Sequence, residues 1–509
     1  MAVSEGASEL QLSEDEKRLH ELGYAQELRR HMSGFTNFAV SFTIISILSG
    51  CLTLYGYGMN TGGPVLITWG WPVVGIMTLF VGLSMAEVCS SFPTAGGLYY
   101  WSAKLAPKNP ALWSWLTGWF NFLGQVAVTA GIDFGAAFFL NALLDVQWGF
   151  DTRPWHTIAL FAAILVLHGL LNSFGVTIVS ILNNVSVWWH IIGVLVIVAV
   201  LAFTPSHHQS ASFVFTHFVN NTGWGSSFYV VLLGLLLAQY TFTGYDASAH
   251  MTEETKSAAI SGPRGIVMSI VVSLVAGWIL LIGVTFAIQS YSGEVGAAVP
   301  PAQIFVDALG DTGGKLLLLI VVIAQLFCGM ASVTANSRMI YAFSRDGALP
   351  GSSFWHRVNP RTRTPTNAIW LAAVGALILG LPYLWNSTAY AAVTSIAVIG
   401  LYVAYVMPTF LRLRLGSAFQ RGPWHLGRWS TPIGTIAVAW VVIITILFML
   451  PTESPITWSN FNYTVIAVVV VLGFAVIYWL VSARKWFTGP RVQGTAEELA
   501  AIERELTDI

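Results

Sequence analysis

From Phe35 to Ala86 the chain contains no Asp, Glu, Lys or Arg. A helix needs only about 20 mostly apolar residues to cross the hydrocarbon of a bilayer, so this one stretch holds two crossings, parted by "GMNTGGP". Its apolar runs are continuous rather than alternating, which excludes a transmembrane β-barrel. The rest of the chain follows the same rule: 55% of the 509 residues are hydrophobic and 9% are charged, against about a quarter charged in soluble domains. The sequence therefore predicts an all-α integral membrane protein. Spans are expected near 35–59, 64–90, 111–142, 155–172, 176–204, 225–250, 264–290, 315–343, 366–382, 388–412, 432–450 and 462–482, twelve transmembrane helices in all.

Lys and Arg orient such a chain, because they collect on the cytoplasmic side. With both termini cytoplasmic, every Lys and Arg falls on the inner side except Arg153 and Lys315. Residues 1–31 are polar and charged, so they are expected to form a cytosolic segment rather than a signal peptide, and residues 487–509, with the helical pattern "TAEELAAIEREL", a cytosolic tail. Cys51, Cys89 and Cys328 lie far apart inside predicted spans, which argues against a disulfide framework or a metal site. No cofactor motif, catalytic triad or nucleic-acid signature occurs. "GDTGGKL" lacks the spacing of a phosphate loop, and the "NVS" sequon at Asn184 lies inside a span.

An internal echo carries more information. The first span is interrupted by "SILSGCLTLYGYG" (Ser46 to Gly58) and the sixth by "YTFTGYD" (Tyr240 to Asp246). The two helices start five spans apart and so cross in opposite directions. Paired interruptions in halves of opposite topology point to a secondary transporter built from inverted repeats, with its binding site near the midplane. Backbone groups freed by a break cost several kcal/mol each in hydrocarbon unless something satisfies them. Freed amides suit a carboxylate and freed carbonyls an ammonium. The alternative is a simple kink, since glycine is common in membrane helices.

Three segments sharpen this reading. "AEVCSSFPTAGGLYYW" (Ala86 to Trp101), "GYDASAHMTEETKSAAISGPRGI" (Gly244 to Ile266) and "SRMIYAFSRDGALP" (Ser337 to Pro350) resemble the end of helix 2, helix 6 with its following loop, and the end of helix 8 of the amino acid-polyamine-organocation superfamily of permeases. "NNVSVWWH" (Asn183 to His190) and the first broken span look most like its amino acid/choline transporter branch. The resemblance implies a core of five plus five inverted helices, 32–204 and 205–414, followed by two accessory helices, 415–486. It also implies a cell-membrane location and a small amino acid or amine as substrate, gamma-aminobutyrate among the candidates.

By the same resemblance, Ser49, Gly50 and Cys51 would bind the substrate carboxylate through backbone amides, with Thr53 as a nearby hydroxyl. Phe242 would gate the site, and Tyr240, Thr241 and Thr243, with Tyr245 beside them, would face the amine. Asp246 has two readings: attraction of the cationic end of the substrate, as expected of an ionisable group inside a membrane, or capping of the second half-helix. His190 is the candidate for proton coupling, because imidazole titrates in the physiological range. Ser180 and Asn183 share its helical face. It could also be a hydrogen-bonded packing residue. Ser332 and Thr334 keep a sodium site open. Asp133, between Gly131 and Gly135, would face the external vestibule on a packing seam. Glu87, Glu253 and Glu254 lie near inner helix ends, as gating ion pairs or solvated termini.

Two rivals accompany this expectation. A choline or polyamine carrier would use aromatic contacts to a cation, with Trp188 and Trp189 as candidates. A transporter-like nutrient sensor would bind without moving its ligand. An enzyme is not expected, because no nucleophile and base pair is evident.

Overall fold

The structure, a computed structural model, describes residues 13–174, 176–385, 389–458, 460–491, 494–495 and 498–499. Most of the expected C-terminal tail helix lies outside these residues. A short helix, α1 (Glu14–Leu22), is closed by a capping box between Ser13 and Glu16. The first crossing is divided into α2 (Gly34–Ile45), α3 (Ile47–Thr53) and α4 (Tyr55–Asn60). Then follow α5 (Pro64–Ser91), the short α6 (Gly97–Leu105), α7 (Pro110–Trp148), α8 (Pro154–Phe174), α9 (Val176–Phe203) and α10 (Ala211–Thr216). The second broken element comprises α11 (Ser227–Gly234), α12 (Leu236–Thr241) and α13 (Ala247–His250). The chain continues as α14 (Ala258–Phe286), α15 (Tyr291–Val295), α16 (Pro300–Arg345, kinked at Gly310), α17 (Ser352–Trp355), α18 (Thr366–Gly380), α19 (Ala389–Leu415), α20 (Ser430–Leu447) and α21 (Thr464–Val481).

Eleven helices among the described residues are long and apolar enough to cross a membrane. The shorter apolar stretch Ser227–Thr241 stands where the sixth span is expected. α7 packs along both α16 and α19, α5 along α14, and α2 against α14 and α9. Small residues allow these approaches: a Cβ on Gly124 of α7 would lie 2.5 Å from the backbone nitrogen of Leu401 in α19. The long connection between α9 and α11 is more structured than its His/Ser/Asn composition suggests. Its α10 packs on α5, and its β2 strand (Val219–Asn220) pairs antiparallel with β1 (Thr61–Gly62).

The end that carries the N-terminal segment is closed by buried charge pairs. Glu253 accepts from the Ala95 amide at 2.9 Å and pairs with Arg345 at 3.4 Å, and Glu254 pairs with Arg338 at 3.0 Å. Glu87 pairs with Arg412 at 3.4 Å and accepts from Ser430. These acids form buried ion pairs and are not solvated helix ends. Residues 24–32 lie across the same end. The Tyr24 hydroxyl donates to Asp346, the Arg345 guanidinium stacks 4.1 Å from the Tyr24 ring, and the amides of His31 and Met32 both donate to the Glu254 carbonyl. Asp15 accepts from the amides of Ser257 and Ala258 at the start of α14.

At the opposite end, the α15 connection buries the Glu294 carboxyl. One oxygen accepts from the Gln289 amide at 3.0 Å. Burial pushes its pKa up from 4.5 to about 7, partly offset by the amide bonds. The unfolded chain releases this proton near 4.5, whereas the folded chain holds it until about 7. Stability should therefore fall as pH rises through that window. Thermal unfolding of purified Glu294→Gln between pH 4.5 and 8 should show a flatter profile than wild type, with the variant the more stable at pH 8. Parallel profiles would contradict it.

Candidate functional site

The two breaks meet at the centre of the molecule. The first falls at Ser46, the one residue between α2 and α3, which adopts left-handed backbone angles (φ 38, ψ 79). Ser46 is the first residue of the expected interruption, Ser46 to Gly58, whereas Ser49, Gly50 and Cys51, expected at the break, are already inside α3. The amides of Ser49 and Gly50 both donate to the Ser46 carbonyl at 2.8 Å. The amides left without an acceptor among the described residues are those of Ile47 and Leu48, the first two of α3, as expected at a helix N-terminus.

The second break spans Phe242 to Asp246 and turns on Gly244 at φ +87, a conformation glycine adopts without strain. Several of its carbonyls are occupied: Tyr240 accepts from the Thr243 hydroxyl, Phe242 from Tyr402, and Tyr245 from Ser41. Those of Thr241 and Thr243 have no donor among the described residues. Between the breaks lies a cavity of about 10 Å³ lined by Ser49, Gly50, Tyr240, Thr241, Thr243 and Cys328, with Ile44, Ile45 and Ile132. That is room for about one water molecule. α3 and α12 cross in contact here, since a Cβ on Gly50 would come within 2.4 Å of Thr241 Cγ2.

A second cavity, of about 340 Å³, opens towards the far end, beyond Thr53 and Tyr390. The Thr53 hydroxyl bonds back to the Ser49 carbonyl at 3.1 Å and so stands between the two spaces. Gly131 and Gly135 of α7 make room for Tyr240 and Thr53 respectively, as a packing seam would. The Tyr240 hydroxyl, over Gly131, is buried beside Tyr390.

Several expected residues face elsewhere. The Phe242 ring packs on Trp71 of α5, with centroids 4.4 Å apart, so Tyr240 rather than Phe242 is the aromatic on the cavity. Tyr245 packs against Tyr405 at 4.8 Å and does not line the cavity. Cys51 is buried and is also absent from its wall. The Asp246 side chain makes no cap to α13. Instead it is fully buried and accepts from Gln125 and Tyr405, each at 2.7 Å, with His250 Nε2 at 3.2 Å. The capping reading fails because Gln125 of α7 and Tyr405 of α19 donate to the two carboxylate oxygens and hold the side chain away from the α13 amides. Trp188 is exposed on the outer face of α9, and Trp189 donates to the Ile320 carbonyl, so neither reaches the site.

His190 does reach it. Its Nε2 lies 2.7 Å from the Ser46 hydroxyl, at the first break, and its Nδ1 lies 2.8 Å from the Ser186 carbonyl. A carbonyl only accepts, so Nδ1 carries the proton, and neutral Nε2 accepts from Ser46. Protonation would turn Nε2 into a donor and reverse that bond. Asn183 is buried on the same helix but makes no bond to His190, and its Oδ1 is unpartnered. The partners are Ser186 and Ser46, the latter invisible to helical spacing.

Asp133 does not face a vestibule. It is fully buried, and its Oδ2 lies 3.2 Å from His168 Nδ1. Ser332 shares a hydroxyl contact with Thr129, and Thr334 donates to Met330 and Asn172. These hydroxyls tie α7, α8 and α16 together rather than converging on the break. Among the described residues no group of three or more His, Cys, Asp or Glu could hold a metal ion. The three cysteines are free and buried; Cys328 donates to the Ile44 carbonyl at the end of α2.

Comparison with known proteins agrees with this architecture. A family model described as "Amino acid permease" matches residues 32–472. The chain is 47% identical to "Amino-acid permease BAT1 homolog" of Oryza sativa subsp. japonica and 45% identical to "Amino-acid permease BAT1" of Arabidopsis thaliana, each over 93% of this chain and 95% of the relative. It is 32% identical to the "GABA-specific permease" of Saccharomyces cerevisiae, over 94% of this chain and 86% of that one. These relatives are permeases and not enzymes. The chain belongs to the amino acid permease family of the amino acid-polyamine-organocation superfamily.

Proposed function

We propose that the protein imports a small amino acid, gamma-aminobutyrate being the first candidate, in symport with protons and by alternating access about the two breaks. Its twelve crossings would comprise inverted sets of five, 32–204 and 205–414, and two accessory helices, with both termini on the cytoplasmic side of the cell membrane. The observation that carries this reading is the presence of free backbone groups on both breaks among the described residues: the amides of Ile47 and Leu48 at the first, and at the second the carbonyls of Thr241 and Thr243, two residues that line the small cavity. A zwitterion satisfies both sets. Choline or a polyamine, lacking a carboxylate, would leave the amides unsatisfied in a buried setting, at about 1–3 kcal/mol each.

His190 supplies the coupling. In the neutral state it accepts from Ser46, the hinge residue of the first break. A proton reverses that bond, so proton occupancy and the geometry of the carboxylate-binding end change together. The narrow cavity and the closed terminal end support assignment of this conformation to a state shut towards the cytoplasm.

The test is uptake of labelled gamma-aminobutyrate, neutral amino acids, choline and putrescine into proteoliposomes, with an imposed pH gradient and no sodium. Gradient-driven uptake of a compound bearing a carboxylate is the expected result. Uptake of choline alone, uptake restored only by sodium, or binding without flux would each overturn a named part of the proposal: substrate, coupling ion or transport itself.

A further inference from the structure

A second cleft, of about 740 Å³, larger than the far-end cavity, opens at the terminal end between residues 29–31, the first turns of α9 and the turn preceding α18. Its wall carries Arg29, Arg361, Arg363 and His31, and a single acid, Glu254, which is already paired with Arg338. None of the three guanidinium groups has an ion-pair or hydrogen-bond partner among the described residues. Most other arginines at this end are engaged: Arg30, Arg338, Arg345 and Arg412 all bond to acids or carbonyls.

The presentation of these three is built rather than incidental. Asn359 organises the turn, its side chain accepting from the amides of Arg361 and Thr362 while its carbonyl accepts from that of Arg363. Arg363 is held at a positive φ of 53. His31 Nδ1 lies 2.8 Å from the Arg29 carbonyl and fixes that residue's backbone. Three like charges converging on one cleft repel one another unless an anion lies between them, and guanidinium forks match phosphate oxygens in particular.

The remaining wall names the source of the phosphate. Thr177, Ser180 and Ile181 of α9 line the cleft, and from Ile181 an exposed apolar stripe runs along the helix through Val185, Trp188 and Ile192. This stripe follows helical spacing and lies on a membrane-crossing element, so it faces acyl chains. We propose that the cleft binds an anionic phospholipid, its phosphate held by Arg29, Arg361 and Arg363 and its chains laid along α9. Basic pockets between membrane helices are suited to such headgroups. Because Arg29 belongs to the segment that lies across the terminal end, the bound lipid would tie that segment to the turn before α18.

The full-length protein, reconstituted in phosphatidylcholine containing a minority of spin-labelled phosphatidylglycerol, tests this directly. The expected result is enrichment of the labelled lipid at wild-type protein, reduced about fivefold or more in Arg29→Gln/Arg361→Gln/Arg363→Gln, and unaffected by millimolar inorganic phosphate. Equal enrichment in wild type and variant would overturn the site. Displacement of the label by phosphate would overturn the lipid as its occupant, in favour of a soluble anion. If the triple variant does not fold, the single variant Arg361→Gln, at an exposed side chain, gives the same comparison with a smaller expected drop. The readout is independent of transport, so it stands or falls separately from the proposed symport.

Discussion

Replacing His190 by Ala is expected to remove the stimulation of uptake by an inward proton gradient, a loss of at least about tenfold, while substrate exchange at equal pH across the membrane persists. His190 is fully buried, and its two ring nitrogens are committed to Ser186 and Ser46. Alanine leaves the Ser46 hydroxyl without its acceptor and empties the space of a ring packed 5.8 Å from Phe42. Both effects cost stability, of order 1–3 kcal/mol for the orphaned hydroxyl alone. Gradient dependence is therefore the informative quantity, measured as the ratio of uptake with and without the gradient. Exchange needs the site and the moving helices but no net proton cycle. A variant that keeps exchange and loses the gradient response places the proton at His190. One that keeps both would sink the assignment.

The second large effect is expected at Gly50. A β-carbon there meets Thr241 Cγ2 at 2.4 Å, Oγ1 at 2.8 Å and Cβ at 2.9 Å, far inside van der Waals contact. Thr241 closes α12, and its hydroxyl is tied to the Leu237 carbonyl, so it has little room to yield. Overpacking of this kind costs about 1–3 kcal/mol, and here the strain falls between the two breaks themselves. Gly50→Ala should lower the initial rate of uptake by roughly ten- to a hundredfold with near-normal amounts of protein in the membrane. Adding Thr241→Ser removes the worst contact and keeps the hydroxyl, so the double variant should recover part of the loss. No recovery would mean that Gly50 acts through something other than this crossing.

The sequence made the helices legible, and the reason is physical. Hydrocarbon tolerates no unpaired backbone, so long charge-free runs have one outcome, and the α5, α7, α8 and α9 boundaries agree with expectation to within a few residues at most ends. The second break was legible too, as the interruption "YTFTGYD" from Tyr240 to Asp246, within which the chain turns on Gly244. The first break was legible as an interruption from Ser46 to Gly58, but its turning residue was not. "IISILSGC" offers two serines and one glycine, and the glycine draws attention although its role is close approach to Thr241. The turn is at Ser46, where a non-glycine residue is held left-handed by its surroundings. Long-range partners were equally hidden: Ser46 with His190, Asp133 with His168, and Asp246 with Gln125 and Tyr405. Periodicity reports which residues share a helix face, and says nothing about which face of which helix comes next to it.

The segment from Tyr24 to Met32 has a further consequence. It contributes backbone hydrogen bonds and an aromatic seat for Arg345 to the closed end, yet it lies outside every crossing helix. In a carrier that alternates between two openings, whatever must peel away before release sets a kinetic toll on each turnover. On the proposed alternating access that toll would fall on this strip, whose Tyr24, Leu28 and Met32 are buried against the closed end and which contributes no residue to the small cavity between the breaks. Throughput and selectivity would then rest on separate parts of the molecule, each free to change while the other stays fixed.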